Sequence, residues 1–310
     1  GGLGLAGGFY SAGLQFVTGH CESKRLGLVL GVFGAGVTGA GFNYYLVPLF
    51  HEAFSWHGVP LAYLIVLVLV LALLVMLTDP EDAEADPTAE TSVRVLLHRM
   101  QTRRAGQLCG YFGVVAGSFF ALALWLPDYL SSQFDLSVDS GARLAQWFVI
   151  PGALAQIVGG GFADRFGSAR VVSRSLMVCL IALFVLSYPP MILFIQGVDS
   201  TIRVEFALPM QVEGVFVVTL GLAMGCTMGS LQRLVIVENR SVAAFVAGLL
   251  LVSACSVAFV LPVVFSSVNH WLGIRSAVFM ILFLLLLGCL FLFARESRRH
   301  EREHLLHPGI

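Results

Sequence analysis

Long apolar stretches separated by short polar clusters recur along the whole chain of 310 residues. Nine stretches can be distinguished, and each is close to the ~20 residues that an α-helix needs to cross a bilayer. Their approximate ranges are residues 1–18, 26–50, 58–78, 107–130, 141–164, 171–195, 212–236, 242–266 and 272–294. The pattern predicts an all-α fold, a polytopic transmembrane helical bundle of about nine spans.

The composition supports a membrane protein, since 57% of the residues are hydrophobic and only 12% are charged. Soluble domains of this length contain about twice that share of charged residues. The lipid bilayer is therefore the first expected partner of the chain.

The basic residues fall mainly on one side of the predicted spans. If residue 1 begins a span that runs from outside to inside, 15 of the 18 Lys and Arg residues lie on the inner side. The other three basic residues lie on the outer side, and they are Arg143, Arg203 and Arg275. By the positive-inside rule, this distribution predicts an integral protein of the cell (inner) membrane with a cytoplasmic C-terminus. The cations are spread over separate loops, so we expect no nucleic-acid partner.

The acidic, proline-bearing stretch from residue 79 to 104 breaks the apolar pattern. We interpret it as a cytoplasmic linker with no switching role between two bundles. The predicted organisation is residues 1–78 as the end of an N-terminal bundle, 79–106 as the linker, 107–294 as a C-terminal six-helix bundle and 295–310 as a cytoplasmic tail. Because the chain opens inside an apolar stretch without a charged leader, we expect an N-terminally truncated fragment.

Gly34-Ala35-Gly36-Val37-Thr38-Gly39 matches the dinucleotide fingerprint G-x-G-x-x-G. Such a loop needs a preceding strand and an exposed helix N-terminus, whereas these glycines lie within an apolar run at bilayer depth. In a membrane helix they leave a groove that a neighbouring helix or a small ligand can approach. A second glycine helix carries Gly221, Gly225 and Gly229 on one face, and we expect no nucleotide cofactor.

The stretch GGGFADRFGSAR, residues 159–170, has the pattern G-x-x-x-D-R-x-G-x-x-R. Its members are Gly160, Asp164, Arg165, Gly167 and Arg170. The glycines permit close helix contact and a tight turn, while Asp164 can cap a helix or pair with a cation across a bundle interface. The pattern resembles the signature loop of the major facilitator superfamily and predicts a cytoplasmic gate.

Within that superfamily, the chain resembles the nitrate/nitrite porter family. The resemblance extends from GLAGGFYSAGLQF and GVFGAGVTGAG through PGALAQIVGGGFADRFG to FVLP at residues 259–262. It implies a bundle of twelve spans, of which this chain holds the fourth to the twelfth, working as a monomer by alternating access.

The resemblance also places a substrate site, with departures at three polar positions. The family has an asparagine in each glycine helix and an arginine in each half that binds the anion. The corresponding residues here are Val37, Met228 and Gln156. The substrate-binding candidates are Tyr10, Gly34, Gly36, Thr38, Phe112, Gln156, Gly229 and Gln232.

Two other polar features carry less weight. Arg233, on the second glycine helix, is interpreted as an anchor at the inner membrane interface, and no carboxylate or lysine is predicted to be buried within the spans. His300-Glu301-Arg302-Glu303-His304 matches the zinc peptidase motif H-E-x-x-H, but we interpret it as a solvated helix end. We therefore expect no metal, no cofactor and no enzymatic activity.

The sequence predicts a secondary transporter of a small solute, with a nitrate/nitrite-type anion as the first candidate. The three substitutions leave open a carrier of a different solute, neutral or organic. A scaffold or sensor that kept the fold without transporting is the remaining alternative.

Overall fold

The computed structural model describes residues 2–77, 102–189, 191–196, 201–206 and 208–306. Side chains are described within 8–77, 104–189 and 208–299. The predicted linker falls largely outside these ranges.

Nine α-helices make up most of the described chain, which confirms the predicted all-α membrane fold. They are α1 Gly2–His20, α2 Leu26–Gly34, α3 Thr38–Leu77, α4 Thr102–Gln133, α5 Val138–Phe166, α6 Ser168–Leu186, α7 Met210–Glu238, α8 Ala243–Leu272 and α9 Ala277–Leu306. Short 3₁₀ turns at Ala35–Val37 and Arg240–Val242 join α2 to α3 and α7 to α8.

The prediction of nine separate spans is corrected to seven candidate spans within the described residues. The second and third predicted spans form one continuous segment, Leu26–Leu77, of 52 residues. Only Ser55, with φ 61° and ψ 176°, departs from helical geometry inside α3. The kink at Ser55 divides this segment into residues 26–54 and 56–77, each of which is long enough at about 1.5 Å per residue to cross a hydrocarbon core of about 30 Å. The first predicted span, α1, is helical but is not among the seven.

A small antiparallel hairpin between α6 and α7 was not predicted. Strand β1, Met191–Gln196, pairs with β2, Thr201–Phe206, in a register that sets Met191 opposite Phe206 and Gln196 opposite Thr201. The sixth predicted span was extended to residue 195, whereas α6 ends at Leu186. Pro189 follows closely, and proline disfavours helical geometry at the residue before it.

Helix α5 is the central element, contacting α2, α3, α4, α6 and α7. Its N-terminus is capped by the Ser137 hydroxyl, which accepts a hydrogen bond from the Ser140 N–H. Its charges complement the helix dipole, with Asp139 in the first turn and Arg165 in the last. Gly167 ends the helix at φ 87°, a left-handed conformation that favours glycine and turns the chain into α6.

Glycines on α7 bring its backbone against that of α5. A Cβ added at Gly221 would lie 2.5 Å from the Phe148 carbonyl oxygen, and one at Gly225 only 1.8 Å from the Gly152 carbonyl oxygen. Gly229 approaches the Gln156 carbonyl oxygen in the same way. The spacing of four residues thus serves helix packing along one face of α7.

Glycines on α2 also bring its backbone against that of α5. A Cβ at Gly27 would lie 2.4 Å from the Gly160 carbonyl oxygen, and one at Gly31 would lie 2.4 Å from the Gln156 carbonyl oxygen. We call the two contacts together, α2 on α5 and α7 on α5, the glycine interface. Of the G-x-G-x-x-G stretch itself, only Gly34 faces this interface, whereas Gly36 and Gly39 have nothing within 4 Å of their Cβ positions. The stretch runs from the end of α2 through a 3₁₀ turn into α3, so its backbone is not an open phosphate loop.

Replacing Gly225 with Ala should destabilise the bundle, because the added Cβ collides with backbone atoms of α5 that have no side chain to move. Overpacking of this kind costs about 1–3 kcal/mol. Thermal unfolding in detergent should show a lower midpoint for Gly225→Ala. Gly288→Ala on α9 is the matched control, since nothing lies within 4 Å of its Cβ position. Equal midpoints for the two variants would contradict the described packing.

Candidate functional site

Gln156 lies at the centre of the glycine interface, on the part of α5 that faces both α2 and α7. Its side chain is buried, at 2% exposure. The Nε2 amide donates a hydrogen bond of 3.1 Å to the Gly34 carbonyl oxygen on α2. A neutral amide thus links the segment before the linker to the segment after it.

The accepting carbonyl lies where α2 passes into the 3₁₀ turn at Ala35–Val37. The Thr38 N–H, which would bond the Gly34 carbonyl in a regular α-helix, bonds the Ala35 carbonyl oxygen here. A carbonyl oxygen has two lone pairs, so the Gly34 carbonyl can accept the Gln156 amide in addition to a bond within the turn.

Gln232 on α7 is a second buried amide beside Gly34. Its Nε2 donates to the Tyr10 hydroxyl of α1 at 3.1 Å. A Cβ on Gly34 would lie 2.4 Å from Gln156 Oε1 and 3.2 Å from Gln232 Oε1, so both side chains lie over that glycine. Gln232 Oε1 is buried and has no hydrogen-bond partner among the described residues.

The structure thus brings together Tyr10, Gly34, Gln156, Gly229 and Gln232 from four helices. Tyr10 also packs against Phe33, with ring centroids 5.5 Å apart. We call these five residues the glutamine cluster.

Three other predicted site residues, Gly36, Thr38 and Phe112, make no described contact with the glutamine cluster. Gly36 has nothing within 4 Å of its Cβ position. The Thr38 hydroxyl donates to the Ala35 carbonyl oxygen of the preceding 3₁₀ turn at 2.5 Å. Phe112 is buried in the hydrophobic core with 5% exposure.

Asp164, at the last turn of α5, accepts hydrogen bonds from the first turn of α2. The Gly27 N–H donates to Oδ1 at 3.0 Å and the Leu28 N–H donates to Oδ2 at 2.9 Å. The carboxylate therefore caps the α2 N-terminus from another helix, where the helix dipole favours a negative charge. Gly160 makes this approach possible, because its Cβ position lies 1.9 Å from the Gly27 carbonyl oxygen.

Arg233 on α7 completes this cluster, which corrects its interpretation as an interface anchor. Its Nε donates to Asp164 Oδ1 at 2.5 Å and its Nη1 donates to the Ser168 hydroxyl at 3.0 Å. The Asp164 side chain is 7% exposed and that of Arg233 is 18% exposed. We call Asp164, Ser168, Arg233 and the Gly27 and Leu28 amides the Asp164 cluster.

Arg240, a residue that the sequence did not single out, ties the end of α1 to the α7–α8 connection. Its Nη2 donates to the Thr18 carbonyl at 2.9 Å and to the Cys21 carbonyl at 2.8 Å. Its Nη1 donates to the Ser23 hydroxyl at 2.7 Å. A cation at a helix C-terminus interacts favourably with the dipole and with the free carbonyls. The turn between α1 and α2 is thus held by Arg240 at one end and Asp164 at the other.

The remaining members of the predicted gate have different surroundings. Gly167 provides the turn into α6, whereas Arg165 and Arg170 are exposed. The side chains of the H-E-x-x-H stretch lie outside the described residues.

One carboxylate contradicts the expectation that none is buried within the spans. Glu213, in the first turn of α7, is 4% exposed. Its burial depends on the packing of neighbouring helices, which the linear sequence does not reveal.

Comparison with known proteins identifies the family. The family model described as Major Facilitator Superfamily matches residues 1–262. The chain belongs to this superfamily. As a member, it is an integral membrane protein, and its apolar helices lie in lipid.

Three curated relatives carry transporter names, in agreement with the expectation that the chain is not an enzyme. The "Probable nitrate/nitrite antiporter NarK1" of Thermus thermophilus is 27% identical over 91% of this chain and 66% of its own length. The "Nitrite extrusion protein" of Bacillus subtilis is 25% identical over 61% of this chain and 47% of its own length. The "Probable nitrate/nitrite transporter NarK2" of Mycobacterium tuberculosis H37Rv is 28% identical over the same shares, 61% and 47%. This chain therefore spans between about half and two thirds of these relatives.

A solved structure supports the fold independently of sequence identity. The superfamily transporter FucP, in its outward conformation, aligns with a TM-score of 0.67 at 15% identity, covering 92% of this chain and 71% of FucP. At that identity, the similarity concerns the fold alone.

Asp164→Asn should weaken the contact between α2 and α5, because Asn offers one uncharged acceptor oxygen in place of the carboxylate that accepts from the Gly27 and Leu28 amides. A hydrogen bond to a charged group contributes about 1.5–3 kcal/mol, so its loss would raise the open population roughly 10- to 100-fold. The measurement is the labelling rate of Leu30→Cys, a buried α2 position between Asp164 and Gly34, in a background without other cysteines. Asp139→Asn, at the exposed start of α5, is the control and should not change the rate. Equal labelling rates in the two variants would show that Asp164 does not hold this end closed.

Proposed function

We propose that the native polypeptide containing this chain is a secondary transporter that moves a small solute by alternating access. The observation that carries the proposal is the glutamine cluster, where Gln156 and Gln232 lie over Gly34 between segments on either side of the linker. Neutral hydrogen bonds of this kind contribute about 1 kcal/mol each, so a solute can replace them reversibly.

The Asp164 cluster fits the role of a gate on one side of this site. It lies about two turns along α5 from Gln156, where charged groups tie α5 and α7 to the start of α2. Arg240 adds a second connection at the same end. We propose that these contacts break when the carrier opens toward that end.

The same end carries most of the cations, so we propose that it faces the cytoplasm. Lys24, Arg25, Arg165, Arg170 and Arg240 all lie there. The positive-inside rule then gives a cytoplasmic linker and C-terminus in the cell (inner) membrane. We further propose that the carrier works as a monomer.

Nitrate or nitrite is the proposed substrate class, supported by the names of the relatives. An anion leaving water needs a compensating charge or several hydrogen-bond donors. The amides of Gln156 and Gln232 and the Tyr10 hydroxyl are the donors that the described part of the site offers. Each amide nitrogen carries two N–H donors and uses one on its present partner, Gly34 or Tyr10, so the second N–H is the donor that each amide offers to an anion.

A neutral solute that carries a hydrogen-bond donor is the second candidate. The unpartnered, buried Gln232 Oε1 favours it, because a buried acceptor without a donor costs about 1–3 kcal/mol and a donor on the solute would recover that energy. Arg233, the neighbouring cation, is engaged by Asp164 and Ser168.

The function is tested by flux into proteoliposomes that contain the native polypeptide. Exchange of labelled nitrate or nitrite, absent from empty liposomes, is the expected result. Movement of urea without either anion would favour the neutral solute. If none of these probes moves, the nitrate and nitrite proposal fails, and a carrier of another organic solute and a scaffold or sensor are the alternatives that stand.

Gln156→Arg should strengthen nitrate binding, because it places a cation beside Gly34 in a site with 2% exposure. A charge-assisted hydrogen bond contributes about 1.5–3 kcal/mol, which corresponds to roughly 10- to 100-fold in Kd. Isothermal calorimetry measures the change, with Gln146→Arg on the same helix as the control of equal charge. If the two variants bind nitrate equally, the glutamine cluster is not the anion site.

A further inference from the structure

Glu213 lies apart from both clusters described above. It is 16 residues before Gly229 on α7, which is about 24 Å along the helix. Its Oε1 is buried and has no hydrogen-bond partner among the described residues. Neither the glutamine cluster nor the Asp164 cluster therefore accounts for this carboxyl group.

The surroundings of Glu213 are mainly apolar. Tyr129 on α4 interacts with the carboxyl group through its hydroxyl. The Tyr129 ring is buried and packs edge-on against Phe279 of α9, with centroids 5.1 Å apart. The Ser276 hydroxyl, one turn before Phe279, is a second buried oxygen without a described partner.

Among the side chains that the structure describes, the nearby charged groups do not neutralise a Glu213 carboxylate. Arg275 precedes α9 and interacts with the Tyr129 hydroxyl, but it is exposed and forms no described ion pair with Glu213. On α5, Asp139 and Arg143 line a small pocket with Tyr44, Tyr45 and Glu52, toward α3. A carboxylate with one orphaned oxygen is costly in such a site, whereas a carboxylic acid carries no net charge.

We propose that Glu213 is a proton-binding site that is protonated in the conformation described here. The carboxylate accepts a proton from water at the Glu213 end of α7, and the acid returns it to water when that end rearranges and exposes the group. No bond other than O–H forms or breaks, and no electrons are transferred.

Protonation of Glu213 would be coupled to closure of the Asp164 cluster at the opposite end of α7. Protonation of Glu213 stabilises the packing of α4, α7 and α9 at the Glu213 end of α7. Deprotonation favours a conformation in which Glu213 is exposed. In a carrier this makes the proton the coupling ion. That last step rests on the proposed transport function, whereas proton binding itself does not.

Infrared difference spectroscopy of the purified protein tests proton binding directly. The carbonyl band of a protonated carboxyl group should be present at about pH 5 and diminish by about pH 9. Glu213→Gln should remove this band. Glu238→Gln, on the same helix but paired with Arg104, is the matched control and should retain it. If Glu213→Gln leaves the band intact, or if the wild type shows none, the proposal is overturned.

Proton coupling is measured separately in proteoliposomes. An inward proton gradient should change solute flux by the wild type and by Glu238→Gln, and Glu213→Gln should lose that response. If no solute moves but the Glu213 band is present, the transport function fails and the proton site stands. If solute moves and the gradient has the same effect on all three proteins, Glu213 does not couple transport to protons.

Discussion

The close approach of three helix backbones determines how this bundle is assembled. Helix α5 packs against both α2 and α7, and glycines on both neighbours leave no side chain at the points of contact. In lipid, apolar burial does not drive helices together as it does in water, so close packing contributes much of the association. This packing positions the polar side chains of the glutamine cluster and of the Asp164 cluster.

The charged groups at the cation-rich end depend on the same approach. Asp164 reaches the α2 amides because Gly27 and Gly160 let the backbones meet, and Arg233 reaches Asp164 because α7 also packs on α5. The Asp164 cluster therefore depends on both helix contacts of α5. Separation of α2 from α5 would leave the carboxylate without its two amide donors, Gly27 and Leu28, which gives the closed arrangement a defined energetic cost of opening.

The sequence predicted the class of fold, the glycine helices and the signature loop, because each depends on local spacing. It did not predict that one non-helical residue, Ser55, would suffice between the predicted spans 26–50 and 58–78, so these spans were separated by too long a turn. The partners of Arg233, Arg240 and Glu213 depend on which helices become neighbours. Which helices become neighbours is set by tertiary packing, and the pattern of apolar and polar residues along one chain does not show it.

The most direct measurement is the distance between spin labels at Lys24, before α2, and Arg165, at the end of α5, in liposomes. Both positions are exposed at the end that carries the Asp164 cluster. The account predicts a narrow, short-distance population in the wild type and an added longer population when Asp164 is replaced by Asn. A distance distribution that is unchanged by this substitution would contradict the view that the packing of α2 on α5 is a gate.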